Sequence, residues 1–136
     1  MLTEAAVQAK CREIATTLGA FLGRNNSGAY SAKNPPTPGT RWGWCNDSAK
    51  FNAQYKTPDL IGWATVTITP EMVGRNVAVF LGAEVKDPQW HLTPGDKRAQ
   101  AQLNCINHIN AAGGIAGFVT DPSQLQQMIG DWKNGK

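Results

Sequence analysis

The sequence has no apolar run approaching the ~20 residues that a membrane-spanning helix requires, and its opening stretch MLTEAAVQAK lacks both a basic leader and a continuous apolar segment. A membrane helix is therefore excluded by pattern, and the missing secretory signal predicts an intracellular, cytoplasmic protein. Cysteine is scarce: Cys11, Cys45 and Cys105 make an odd number, without CxxC spacing or a neighbouring histidine. A disulfide framework and a zinc site are not expected, and reduced thiols are. Cys11 and Cys105 fall on apolar helical stripes, where cysteine behaves as a small hydrophobe. Histidine is scarcer still, and His91 and His108 fit no ligand pattern, His108 reading as a packing or surface residue of a helix. No internal repeat is visible. Charge of one sign is modest, a formal +3 over 136 residues, which permits a polyanionic partner without demanding one. What is present, 41% hydrophobic and 17% charged residues, suits one soluble domain with a single sizeable core.

Residues 3 to 22 predict an amphipathic helix, with Thr3 as N-cap and Val7, Cys11, Ile14, Ala15, Leu18 and Leu22 recurring at helical spacing. Glu4 belongs to that inward stripe. It has two readings, an acid projecting into a site or one that favours the positive end of the helix dipole. From residue 23 to residue 56 the chain is rich in Gly, Pro, Asn and Ser. Such a length suggests a binding loop. Its cations Arg24, Lys33, Arg41, Lys50 and Lys56 are interleaved with Tyr30, Trp42, Trp44 and Phe51, a mixture suited to phosphate contacts and base stacking, or to a solvated loop whose aromatics pack inward. Two strand-like segments follow, residues 60 to 69 and 77 to 86, expected to pair antiparallel. A helix over residues 97 to 112 closes at Gly113 and Gly114, residues 115 to 120 form a short strand, and Asp121 to Ser123 can cap a last helix whose stripe is Leu125, Met128, Ile129 and Trp132.

The apolar segment VAVFLG (77 to 82) runs into Glu84 and Lys86, flanking one residue. Burying either charge unpaired costs several kcal/mol, roughly, so the two must reach solvent or face something that needs them. On a strand, residues two apart share a face. If Asp59 begins the neighbouring strand, antiparallel pairing brings its carboxylate and that of Glu84 to one sheet edge, with the Val85 carbonyl as a further oxygen donor if the strand kinks. Oxygen donors of this kind suit Mg²⁺ or Mn²⁺. Lys86 would stand beside the reacting water or phosphate. The plainer reading of Glu84 and Lys86 is a salt bridge at a solvated strand end.

Taken together, "TPDLIG" at 57 to 62 and "AEVK" at 83 to 86 resemble the PD-(D/E)XK nuclease pattern. The flanking "RNNSG" at 24 to 28, "GR" at 74 and 75, and "AAGGIAGFVTD" at 111 to 121 are similar to the virus-type replication-repair nuclease (VRR-NUC) domain. The resemblance spans almost the whole chain. It implies an α/β restriction-endonuclease-like core, a short mixed sheet flanked by helices in the order αβββαβα or αββαβα. It implies Glu4, Asp59, Glu84 and the Val85 carbonyl as ligands of Mg²⁺ or Mn²⁺, Lys86 as the catalytic lysine, and a glutamine in the following helix. Gln100 and Gln102 compete for that last role. Gln102, eleven residues before Gly113, matches the family spacing. The implied activity is that of a homodimeric endonuclease on branched or duplex DNA, four-way junctions in particular, with Arg24, Asn26, Arg41 and Lys56 as DNA contacts. A monomeric flap or nicking nuclease and a non-catalytic DNA-binding module are the alternatives. The links before "TPDLIG" and after Lys86 are longer than the family's usual ones.

Overall fold

A computed structural model describes residues 3–30, 39–55 and 58–136, so Lys33 and Lys56 lie outside the described residues. The fold is mixed α/β, with small antiparallel and parallel ladders, and the chain divides into two compact units, Met1–Ala64 and Thr65–Lys136. No described helix is long and apolar enough to cross a membrane.

In the first unit, helix α1 (Glu4–Thr17) starts where the pattern places it: Thr3 has extended backbone and its side chain accepts from the Ala6 N–H. Its end comes earlier than expected. Thr16 and Thr17 turn their hydroxyls back onto the carbonyls of Arg12 and Ile14, and Gly19 enters the left-handed region at φ +70°. Only glycine visits that region without strain, so the helix stops there. Leu22, read as the end of the helical stripe, belongs instead to strand β1 (Ala20–Arg24).

The stripe itself is poorly covered. Ala15 is buried, but Val7, Ile14 and Leu18 are exposed, and so is Cys11. α1 packs on β1, and five-residue strands are too short to blanket a four-turn helix. What remains is an open apolar groove of about 500 Å³, lined by residues including Ile14, Leu18, Leu22 and Trp63.

The stretch read as a loop contains regular structure. Strands β2 (Gly28–Tyr30) and β3 (Thr40–Trp42) form an antiparallel pair, and helix α2 (Ala49–Gln54) follows, capped by Ser48. Three-residue strands carry too little alternation to be seen by periodicity. A buried polar residue fixes the pair. Asn46, 4% exposed, donates from Nδ2 to the carbonyls of Gly28 (2.7 Å) and Trp42 (2.8 Å), and its Oδ1 accepts from the Arg41 guanidinium at 2.8 Å. Arg41 Nε also donates to the Asn46 carbonyl at 3.2 Å. A buried amide satisfied in this way rigidifies its surroundings, whereas one left unpaired costs about 1–3 kcal/mol.

Strand β4 (Leu60–Ala64) lies antiparallel to β1, with Phe21 opposite Trp63 and their rings stacked at 4.8 Å. Its ladder ends at Ala64 because β1 begins at the facing Ala20. The alternating TVTIT beyond it has no strand partner among the described residues, and residues 65 to 69 are irregular.

The second unit opens with a single 3₁₀ turn at Pro70–Met72. Strand β5 (Leu81–Val85) runs parallel to β6 (Ile115–Val119), joined by helix α3 (Lys97–Ala111), and α4 (Pro122–Lys133) closes the chain. The antiparallel pairing anticipated for the segments at 60 to 69 and 77 to 86 gives way to other ladders: β4 pairs with β1, and β5 with β6. α3 and α4 both pack on β6, which explains a strand as uniformly apolar as IAGFV.

Here the core is real. Ala99, Ile106, Ile109, Ile115, Ala116 and Val119 are all buried. Cys105, placed on the α3 stripe by spacing, is exposed, and all three cysteines are free. Asn110 pins the α3–β6 turn by accepting from the Ala116 N–H (2.8 Å) and donating to the Ala116 carbonyl (3.0 Å). Helix starts follow the expected chemistry. Asp96 caps α3 by accepting from the Ala99 N–H, and Asp121 forms a capping box with Gln124 at α4. Of the expected α4 stripe, Leu125, Met128 and Ile129 are half-buried, while Trp132 is exposed and donates its indole N–H to the Gly113 carbonyl.

Candidate functional site

Strand β5 alternates strictly, with Gly82 and Glu84 half-buried and Leu81, Ala83 and Val85 exposed. Its covered face is the one turned to α3, because a Cβ built on Gly82 would touch Ile109 of that helix at 3.5 Å. Lys86 continues the same face one step beyond the strand and donates its backbone N–H to the Val119 carbonyl. The apolar strand therefore delivers a carboxylate and an amine to its helix-covered side. Desolvating the two demands a compensating partner.

Gln102, on α3, supplies it. Its Nε2 donates to Glu84 Oε1 at 2.6 Å and its Oε1 accepts from Lys86 Nζ at 2.7 Å. The amide can face only one way, since reversing it would set its N–H₂ against the ammonium and its oxygen against the carboxylate. Lys86 Nζ also lies 3.4 Å from Glu84 Oε1, closing a triangle in which the lysine side chain is 16% exposed and the glutamate 37%. Two rings complete the setting. The ammonium stands 5.3 Å from the Trp90 ring centroid and 5.8 Å from that of Phe118, and those rings meet at 4.7 Å. Their faces attract a cation and shield the lysine stem from water.

The competing Gln100 is occupied elsewhere, donating to the Thr93 carbonyl at 2.9 Å. Trp90 and Phe118 carried no sequence signal as site residues. The one available hint was that Trp90 follows Lys86 by four residues across the turn DPQW.

The remaining acids belong to the first unit. Glu4 is the first residue of α1, exposed, and accepts from Gln8 Nε2 at 3.2 Å; that position matches the helix-dipole reading of its sequence. Asp59 immediately precedes β4 and is exposed. Its backbone carbonyl accepts from the Asn25 N–H at 2.9 Å, and Asn25 Nδ2 donates to the Pro58 carbonyl at 3.0 Å. The RNNSG segment thus braces both carbonyls of the PD dipeptide. Arg24 ends β1 opposite Leu60, exposed, as is Asn26. Arg41 is tied to Asn46 by the two bonds described above. Lys56 lies outside the described residues.

The chemistry of the donor set fits a hard divalent cation: carboxylates and a carbonyl, with no thiolate or imidazole among them. Glu84 makes its bonds among the described residues through Oε1 alone, and the Asp59 carboxylate has no side-chain partner among them. Within each unit, no three His, Cys, Asp or Glu side chains of the described residues gather as a ready-made cluster. The implied set draws Glu4 and Asp59 from one unit and Glu84 and Val85 from the other. In comparisons with known proteins, the chain matches no family model, no curated protein and no solved structure.

Proposed function

We propose that the chain is a metal-dependent, structure-specific DNA endonuclease with a restriction-endonuclease-like core of the VRR-NUC type, acting as a homodimer on four-way junctions. The observation that carries this reading is the Gln102 amide held between Glu84 and Lys86. A salt bridge at a solvated strand end needs no third partner and would leave its lysine in water. Here the lysine is largely covered, flanked by two rings, and fixed by an amide placed for both charges. The resemblance in TPDLIG, AEVK and AAGGIAGFVTD supports the same assignment.

The resemblance implies Glu4, Asp59, Glu84 and the Val85 carbonyl as the groups that would hold Mg²⁺ or Mn²⁺, which would supply a Lewis acid for the phosphodiester and acidify water. The chain's own residues divide the other tasks. Lys86, kept from swinging by Gln102, presents an ammonium to the charge that builds on the phosphate oxygens. Gln102 bonds to both members of the Glu84–Lys86 ion pair and so fixes the carboxylate as well as the amine. Arg24, Asn26 and Lys56 serve the DNA backbone, and Arg41 chiefly holds the hairpin turn. Homodimerisation would place two equivalent sites on a two-fold-symmetric junction.

Incubating the protein with labelled junction, flap and linear duplex, each with Mg²⁺ or EDTA, tests the proposal. Junction cutting that needs Mg²⁺ is expected, as is its loss in Asp59→Ala with junction binding preserved. Undiminished cutting by Asp59→Ala removes the site as described.

A further inference from the structure

The segment from Arg24 to Lys56 carries five cations against the single acid Asp47, a formal +4 in a chain whose total is +3. The rest of the molecule is thus slightly acidic, and the entire positive excess lies here. The same segment holds both tyrosines of the chain. Five of its aromatic side chains are open to solvent: Tyr30 at 64%, Trp44 at 62%, Tyr55 at 56%, Trp42 at 49% and Phe51 at 41%. They do not pack inward, which was the plainer reading of this composition.

Their presentation is rigid. Gly28 faces Trp42 across the β2–β3 pair and Tyr30 faces Thr40, so Tyr30 and Trp42 project from the same side of the hairpin. The Trp42 indole covers Gly28, where any Cβ would collide with the ring at 2.3 Å. One side of the indole is therefore backed by main chain. Trp44 stands on the turn that follows, next to Cys45, whose φ of 60° makes it the one non-glycine in the left-handed region among the described residues. Such a conformation persists only where its surroundings impose it. The imposing groups are visible: Asn46 locks the turn to Gly28 and Trp42, and Asn52 of α2 donates to the Cys45 carbonyl. Phe51 of α2 and Tyr55, the residue that caps its end, lean together at 5.0 Å.

We propose that this hairpin and helix bind unpaired nucleotides of branched DNA, with bases stacking on Trp44 and on the Trp42–Tyr30 face while the exposed cations Arg24 and Lys50 meet the phosphates. The proposal rests on the nuclease reading and adds to it the part of the substrate that this segment selects. Base faces are accessible in single strands and at open branch points, whereas in a continuous duplex they are hidden against each other. A purely backbone-binding surface needs cations and no protruding rings. Aromatic side chains have only two torsions to order and lose little entropy when a base stacks on them, and stacking tolerates any sequence.

Fluorescence anisotropy in EDTA, with a labelled oligothymidine strand and a blunt duplex of equal length, tests this without requiring catalysis. Wild-type protein is expected to bind the single strand more tightly. Trp44→Ala should weaken that binding roughly ten-fold, within the usual range for one base stacked on one ring, and leave duplex binding nearly unchanged. Trp44→Phe should recover most of the loss, and Tyr30→Ala, at an equally exposed position, should give a smaller loss in the same direction. Undiminished single-strand binding by both alanine variants overturns the proposal. So does an equal loss on duplex, or conversion of a dimer to monomer by Trp44→Ala, which would make the rings a protein interface. The nuclease reading is judged separately, by Mg²⁺-dependent junction cutting of the wild-type protein, so either can fail alone.

Discussion

The two units of this chain achieve order by different means. In Thr65–Lys136, a βαβα arrangement sandwiches one strand between two helices, and six aliphatic side chains are buried along α3 and β6. In Met1–Ala64 the buried side chains among the described residues are Ala15 and the polar Asn46. Order there comes from short ladders, the Phe21–Trp63 stack and the Asn46 amide, while Ile14 and Leu18 stay 56% and 75% exposed. An apolar stripe at helical spacing is evidence that a helix forms. It is not evidence that the helix is covered, because coverage depends on the size of what packs beneath.

The largest effect should come at the charged end of β5. Lys86→Ala is expected to lower junction cutting about 10²–10⁴-fold, the scale of losing one positioned acid–base or charge-stabilising group, with little change in melting temperature. Gln102→Ala should fall short of that while moving in the same direction. A loss of cutting that tracks a loss of folded protein would place these residues in the core's upkeep instead of the reaction.

The contrast in packing predicts the next largest difference. Ile109→Ala, in the buried face of α3, should destabilise by about 2–5 kcal/mol in urea unfolding. Ile14→Ala on α1 should stay within about 0.5 kcal/mol. Equal effects would erase the distinction between the units. Asn46→Ala strips partners from two carbonyls and from Arg41, and should cost about 2 kcal/mol, visible as faster amide exchange around residues 28 to 46.

The smallest effect concerns pH. Asp96 is held below the ordinary carboxylate range, first by the Ala99 backbone N–H, against an opposing effect of burial, with Trp90 and Lys86 adding smaller contributions in the lowering direction. Asp121 is lowered first by the Ser123 hydroxyl, then by the Ser123 backbone N–H. A depressed folded value means that each cap's stabilisation is complete above the unfolded value of about 3.9 and fades as the pH drops through the folded value. Melting temperature should therefore decline on acidification below about pH 4, less steeply in Asp121→Asn, which keeps a capping side chain but cannot titrate.

Most of the second unit is legible in the sequence. Lys97 to Ala111, the glycine stop at Gly113 (φ +98°), the apolar strand from Ile115 and the Asp121 cap all follow from period, turn chemistry and capping. That Gln102, and not Gln100, meets Glu84 and Lys86 agrees with the spacing of a resembled pattern, and periodicity alone does not single it out. The first unit resisted because its determinants are short or non-local. Gly19 stops α1 inside an unbroken stripe, β2 and β3 are three residues each, and Asn46 works through partners up to 18 positions away. The end of β4 is hidden for a related reason, since alternation in TVTIT says nothing about where the partner strand ends. Trp90 and Phe118 join Lys86 only through the parallel β5–β6 register and the turn after Lys86.

The Gln102 amide has a pole for each charge but no preference for which strand position carries which. Turned through half a revolution, it would serve a variant with Glu84 and Lys86 exchanged equally well. The rings of Trp90 and Phe118 lack that symmetry, because their electron-rich faces welcome a cation and repel a carboxylate. The order of acid before base along this strand is thus dictated by the aromatic pair, and a reversed sequence would keep its bridge while losing its direction.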